Sequence, residues 1–266
     1  MSAAWQYETD VTEAHWALLH PLLPTPTWTP GHRGRPPRPL RQVVNGLWSV
    51  HKPGCQGRML PKALGPWETV SGSLWRWRRA GVWERVMTKL RQVERRCQGR
   101  LAEPSAGALD SQSVKTATQG TEVGFDGHKK SKGRKRHLWV DTLGLIVAVI
   151  VTAANVDDRQ GLIALLQQYF ADGVTRLRKL WVDGGDGAEW LYAWVWGLKR
   201  TYQIAMEVVE HTGKGFQVVP HRGVVERPFA WVLNYRRHRC DYEVLTANSE
   251  AMIQISMIHL LLKRLA

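Results

Sequence analysis

A mixed α/β fold, with a small helical N-terminal part leading into a sheet flanked by helices, is what this sequence predicts. Three observations carry that expectation. Up to about residue 100 the apolar side chains recur at helical spacings between Pro- and Gly-rich loops, whereas from about residue 105 short β-branched runs alternate with helical ones. Strand runs followed by β-α alternation give a mixed sheet covered by helices. The hydrophobic share, 44% of 266 residues, is enough to fill a core.

In chain order, the first helix is expected over Glu13–Leu19, stopped by Pro21 and Pro24, and Thr25–Pro39 reads as a loop rich in Pro, Gly and Arg. A helix over Leu40–Val50 aligns Val43, Val44, Leu47 and Trp48 on one face. After Pro66-Trp67, the segment to Arg96 sets Leu74, Trp77, Val82, Trp83, Val86 and Leu90 against a polar face of Arg76, Arg78, Arg79, Arg85, Lys89 and Arg91. Short helices with a basic face suit a helix-turn-helix-like DNA-binding module, and equally an ordinary solvated surface.

Ala106–Val114 is the first expected strand and Arg136–Asp141 the second. Leu143-Gly144 reads as a hairpin turn, after which Leu145–Ala153 is β-branched enough for a buried third strand. Arg159–Phe170 is an amphipathic helix, Leu180–Val182 a buried strand ending at Asp183-Gly184-Gly185, Ala188–Leu198 a helix and Tyr202–Val209 the fifth strand. From Val224 the chain reads as helical, through the apolar stretch Met252–Leu262. Residues 1–100 and 101–266 are accordingly expected as two domains.

Charge narrows the function. Lys and Arg number 37 against 23 Asp and Glu, a net +14 concentrated on particular segments, which calls for a polyanionic partner. No apolar run approaches the roughly 20 residues that span a bilayer, so no membrane partner is expected and nucleic acid is favoured. The opening Met1–Glu8 lacks the basic and apolar regions of a secretory signal, which predicts a protein that stays in the cytoplasm. Cys55, Cys97 and Cys240 are odd in number and far apart, and read as reduced structural thiols.

Three acids interrupt apolar surroundings where strands end or helices begin: Asp110, Asp183 and Glu226. A carboxylate in an apolar run needs a cation or a salt bridge to neutralise it. Gathered together, the three would suit Mg²⁺, which takes hard oxygen ligands and shares its sphere with substrate phosphates. Taken singly, an Asp before Gly also serves as a turn residue, and a Glu at a helix start also complements the helix dipole.

The chain resembles the IS5 family of DDE transposases. The resemblance rests on Leu109-Asp110-Ser111-Gln112-Ser113-Val114-Lys115, on Gly124-Phe125-Asp126-Gly127-His128-Lys129-Lys130-Ser131-Lys132-Gly133-Arg134-Lys135-Arg136-His137, and on Val140-Asp141-Thr142-Leu143-Gly144. It continues through Val182-Asp183-Gly184-Gly185, Val224-Val225-Glu226-Arg227-Pro228-Phe229-Ala230-Trp231, Tyr235-Arg236-Arg237 and Asp241-Tyr242-Glu243. N-terminal signs include Trp16, Leu22-Leu23-Pro24, Gly34-Arg35-Pro36, Gly54-Cys55, Leu60-Pro61, Pro66-Trp67 and Trp77. Where the family usually carries aromatics, this chain has Gly57, Asp186 and Gly223.

The resemblance implies a ribonuclease-H-like core with a mixed five-stranded sheet, in which Asp110, Asp183 and Glu226 form a metal-binding triad for two Mg²⁺ ions, replaceable by Mn²⁺. It implies an enzyme that binds the terminal inverted repeats of its element, cleaves the 3′ ends and joins them to target DNA, with a homodimer pairing two DNA ends. The nominated contacts to double-stranded DNA are Lys115, Lys129, Lys130, Lys132, Arg134, Lys135, Arg136, His137, Arg222, Arg227, Arg236 and Arg237. Two rivals stay open: an impaired relic that only binds DNA, and a nuclease of the same fold that cuts without joining.

Overall fold

The computed structural model describes residues 7–25, 28–29, 35–117, 120–170, 176–183, 204–209 and 222–266. Among these residues four α-helices precede the sheet: α1 (Glu13–Leu19), α2 (Leu40–His51), α3 (Trp67–Arg79) and α4 (Val82–Cys97). The sheet contains β1 (Ala106–Lys115), β2 (Gly124–Asp126), β3 (Ser131–Asp141), β4 (Ile146–Ala153), β5 (Lys179–Asp183) and β6 (Ala205–Val209). Helix α5 (Asp158–Phe170) lies between β4 and β5, and α6 (Arg222–Leu233) and α7 (Thr246–Leu265) follow β6. The expected helix Ala188–Leu198 and the start of the fifth expected strand lie outside the described residues.

Strand β3 pairs antiparallel with β1 over Gly107–Lys115 and with β4, and its first residues also pair with β2. On its other edge β1 pairs parallel with β5, which pairs parallel with β6. The sheet is therefore mixed, as expected, and gains one strand, β2, that the sequence reading left in a loop. Three residues between turns carry too little alternation to announce a strand.

Local chemistry explains the hairpin that orders β3 and β4. Gly144 adopts φ 78°, and the Asp141 carboxylate accepts the backbone N–H groups of Leu143 at 2.8 Å and Leu145 at 3.0 Å. Its second oxygen is 2.5 Å from Arg95 Nη1 on α4, with both side chains buried. The motif residue Asp141 thus fixes a turn and ties it to the N-terminal helices.

Each sheet face buries its own apolar cluster. Leu109, Trp139 and Ile150 pack with Leu162, Leu165 and Leu166 of α5. On the other face Ala108, Leu138, Val140 and Val151 meet Met252, Ile255 and Ile258 of α7, and the same cluster takes in Val44, Trp48, Trp83 and Val86 of α2 and α4. Buried side chains are spread all around α7, the mark of a helix enclosed by its neighbours. The core therefore runs continuously from the first hundred residues into the sheet.

The segment after Trp67 forms two short helices, α3 and α4, divided at Gly81, which takes φ 64°. Two expectations about α4 change. Arg91, expected on the polar face, is 1% exposed and pairs with Glu103 at 3.6 Å, because it faces the sheet side of α4. All three cysteines are free thiols, and Cys97 is exposed at the end of α4 instead of packed.

A second buried pair holds the chain after α6. Arg134 Nη1 lies 3.3 Å from Asp241 Oδ2, and the guanidinium also donates to the carbonyls of Thr121, Glu243 and Val244. Asp241 accepts from Ser249 Oγ at 2.7 Å. Removing one partner strands the other charge in the interior, so Asp241→Ala should destabilise the protein by about 3–5 kcal/mol. Thermal unfolding measures this, and an unchanged midpoint refutes it.

Candidate active site

The site begins with β1, whose first half is apolar and buried until Asp110, which is half-buried. Asp110 sits opposite Leu138 of β3 and accepts the backbone N–H of Ser111 at 2.6 Å. On the other edge of β1, Leu109 pairs with Val182 of β5. Positions 110 and 183 are thus the next residues on neighbouring parallel strands, whose backbones run about 5 Å apart. Asp183 is the last residue of β5 and pairs with Val209; its side chain lies outside the described residues.

Helix α6 begins at Arg222, so positions 222 and 226 are one helical turn apart. The helix packs against β1 and β3, with Phe229 and Val232 buried in the larger core, while Glu226 is exposed. The structure thereby brings 110 and 183 side by side and lays the helix that carries Glu226 across the strand that carries Asp110. Among the described residues no three His, Cys, Asp or Glu side chains group as a metal site. The Asp183 carboxylate stands outside that set.

The nominated DNA contacts divide into two groups. Lys115 is exposed at the end of β1, Lys129, Lys130 and Lys132 are exposed on the β2–β3 hairpin, and Arg227 and Arg236 are exposed on and after α6. Arg237 is half-buried and pairs with Glu243 at 2.6 Å. The Arg222 side chain lies outside the described residues.

Arg134, Lys135, Arg136 and His137 are corrections. They were expected to meet DNA, with the strand starting only at Arg136, but β3 already begins at Ser131 and all four are buried within it. Arg134 is held by Asp241 as above. Lys135 Nζ lies 2.7 Å from Asp158 Oδ1 and donates to the Val156 carbonyl at 2.8 Å. Arg136 donates to the His238 carbonyl at 3.0 Å. His137 bonds Thr152 Oγ1 at 2.9 Å beneath Gly161, where any Cβ would collide with the imidazole. Burial, with Lys135 and Lys129 nearby, lowers its pKa to about 4, so the ring is neutral at pH 7, and it is shut off from solvent.

Sequence reasoning missed the polar network under β1. Ser113 Oγ donates to Asp126 Oδ2 at 2.5 Å, and the other Asp126 oxygen accepts the backbone N–H groups of His128 and Lys129, each at 3.0 Å. Burial opposes the charge on Asp126, but these bonds and Lys135 hold its pKa down at about 2. Its place two residues ahead of a basic turn was a signal for a turn-capping carboxylate.

At Gly57, where the resemblance leads one to expect an aromatic, the Trp67 ring packs directly on the glycine, and any Cβ would clash with it. The aromatic volume is supplied from α3. Asp186 lies outside the described residues, and Gly223 stands in the first turn of α6.

An antiparallel run of β1, β3 and β4 continued by parallel β5 and β6, with helices on both faces, is the ribonuclease-H-like fold of DDE transposases. Residues 101–261 match the family described as transposase DDE domain, and residues 11–87 match the putative transposase of IS4/5 family. The chain belongs to the IS4/IS5-type DDE transposases. No curated relative matches it. No helix among the described residues is long and apolar enough to cross a membrane.

Proposed function

We propose that this transposase cleaves the 3′ ends of its element at the terminal inverted repeats and joins them to target DNA, using Asp110, Asp183 and Glu226 as its metal-binding acids. The observation that carries the reading is the strand register, which sets positions 110 and 183 side by side at the half-buried carboxylate of Asp110. Hard oxygen donors beside an open surface fit Mg²⁺, or Mn²⁺ in its place. Two such ions would activate the attacking oxygen and stabilise the leaving one in a phosphodiester displacement.

The chain's own groups have distinct tasks in this reading. Asp110, on the strand shared by both halves of the sheet, would hold the metal together with Asp183 and Glu226. Asp183 holds the site from β5, and Glu226 closes it from α6. Arg222, one turn earlier, orients a phosphate or the Glu226 carboxylate. The exposed Lys115, Lys129, Lys130, Lys132, Arg227 and Arg236 hold the DNA backbone without reading its sequence. Residues 1–100 act as the DNA-binding leader domain, residues 101–266 as the catalytic domain, and a homodimer pairs the two element ends.

The test incubates labelled DNA carrying the element's ends and a plasmid target with wild type or Asp110→Ala, in Mg²⁺ or Mn²⁺. Cleavage and joining should vanish in the variant while DNA binding persists. Equal activity in the two proteins removes the assigned chemistry; cutting without joining in the wild type favours the simple nuclease.

A further inference from the structure

The β2–β3 hairpin presents an aromatic ring to solvent on a rigid base. Phe125 is 57% exposed, although a phenyl ring has nothing to gain from water. Its neighbour Asp126 is 4% exposed and is clamped by Ser113 and by the backbone of His128 and Lys129. Gly124 on the other side lies against Asn155 so closely that a Cβ there would collide. With both neighbours fixed, alternation along the strand turns Phe125 outward.

Its surroundings are basic. Lys132 is its cross-strand partner, and Lys129 and Lys130 stand exposed in the connecting turn. Lys129 Nζ also reaches to 3.5 Å from the carbonyl of Ser111, the residue after Asp110, so the hairpin adjoins the strand that carries Asp110. An exposed aromatic ring on a hairpin that also carries three exposed lysines suits the way proteins take hold of unpaired bases: the cations follow the phosphates and the ring stacks on a base of any identity.

We infer that Phe125 stacks on a DNA base exposed where the duplex is opened beside the cleavage site, with Lys129, Lys130 and Lys132 on the flanking phosphates. This rests on the DNA-cleaving reading above and adds to it a base contact. Such a contact selects opened DNA over intact duplex, because only an unstacked base offers its face.

The probe is a 30-base-pair duplex ending in a five-nucleotide single-stranded flap with 2-aminopurine at the junction; the same duplex without a flap is the control. The full chain is titrated onto each in a buffer without divalent metal. Wild type should quench the junction fluorophore. Phe125→Ala should bind the flap duplex about ten-fold more weakly, without quenching, and bind the blunt duplex as wild type does. Phe125→Trp should restore quenching.

Equal flap affinity and equal quenching in wild type and Phe125→Ala overturn the inference. So does self-association of the wild type that Phe125→Ala abolishes while flap binding is unchanged, since the ring would then belong to a contact between copies. Asp110→Ala separates the two readings: if it still cleaves DNA but Phe125→Ala loses quenching, the acid assignment falls and the stacking stands. Failure of wild type to bind either duplex removes both.

Discussion

Asp110→Asn and Asp183→Asn are each expected to lower strand cleavage at least a thousand-fold, and the double variant is expected to be little worse than either alone. Asn keeps the shape of the carboxylate and loses the charge, so the comparison isolates cation binding from packing. The two positions continue a paired register on adjacent parallel strands, which makes them parts of one unit. Groups that act as a unit show strongly non-additive losses. Gel assays of 3′-end cleavage in Mg²⁺, run beside a binding assay, measure the effect. Multiplied losses in the double variant, or full activity in Asp183→Asn, would show that the positions do not share one site.

Acidification below pH 6.5 is expected to lower the stability of the fold. His51, His238 and His259 sit in one buried cluster joining α2, the turn after α6 and α7. His51 Nε2 and His238 Nε2 lie 2.5 and 2.7 Å from Ser256 Oγ, and Tyr235 Oη lies 2.9 Å from His259 Nδ1. Burial first, then Arg237 and His259, lowers His51 to about 3. Burial first, then Lys263 and Lys52, lowers His259 to about 3. Burial, His51 and Arg136 push His238 well down.

The unfolded chain takes up protons on these rings near pH 6.5 while the folded chain refuses them, so stability is lost as pH falls below that value. At pH 5 His51 and His259 each contribute about 2 kcal/mol against folding and His238 acts in the same direction, a large share of the roughly 5–15 kcal/mol that holds a domain together, while the buried Glu250 carboxyl, pushed up to about 7, offsets part of it. Circular dichroism melts between pH 7.5 and 4.5 should show a steep fall in the midpoint. His259→Gln should make that fall shallower. A midpoint flat from pH 7 to 5 would sink the argument.

The same physics explains what the sequence disclosed. Helices α1, α2 and α5 and strands β1 and β4 were legible because their apolar spacing repeats over enough residues to exclude the other period. The hairpin at Leu143-Gly144 was legible because glycine readily takes the positive φ that the turn requires. The basic run 129–136 misled because Lys and Arg are counted as solvent-facing unless partners are known. Those partners, Asp241 for Arg134 and Asp158 for Lys135, stand far off in sequence or on another element.

By itself, the sequence determined the α/β class, the helical beginning, five of the six described strands and the acids that interrupt them, since each follows from short-range pattern. Only the tertiary structure decided that positions 110 and 183 are neighbours, that four of the basic residues are interior, and that Phe125 stands out in water. Register, burial and ion pairing depend on residues distant along the chain, and no local period records them.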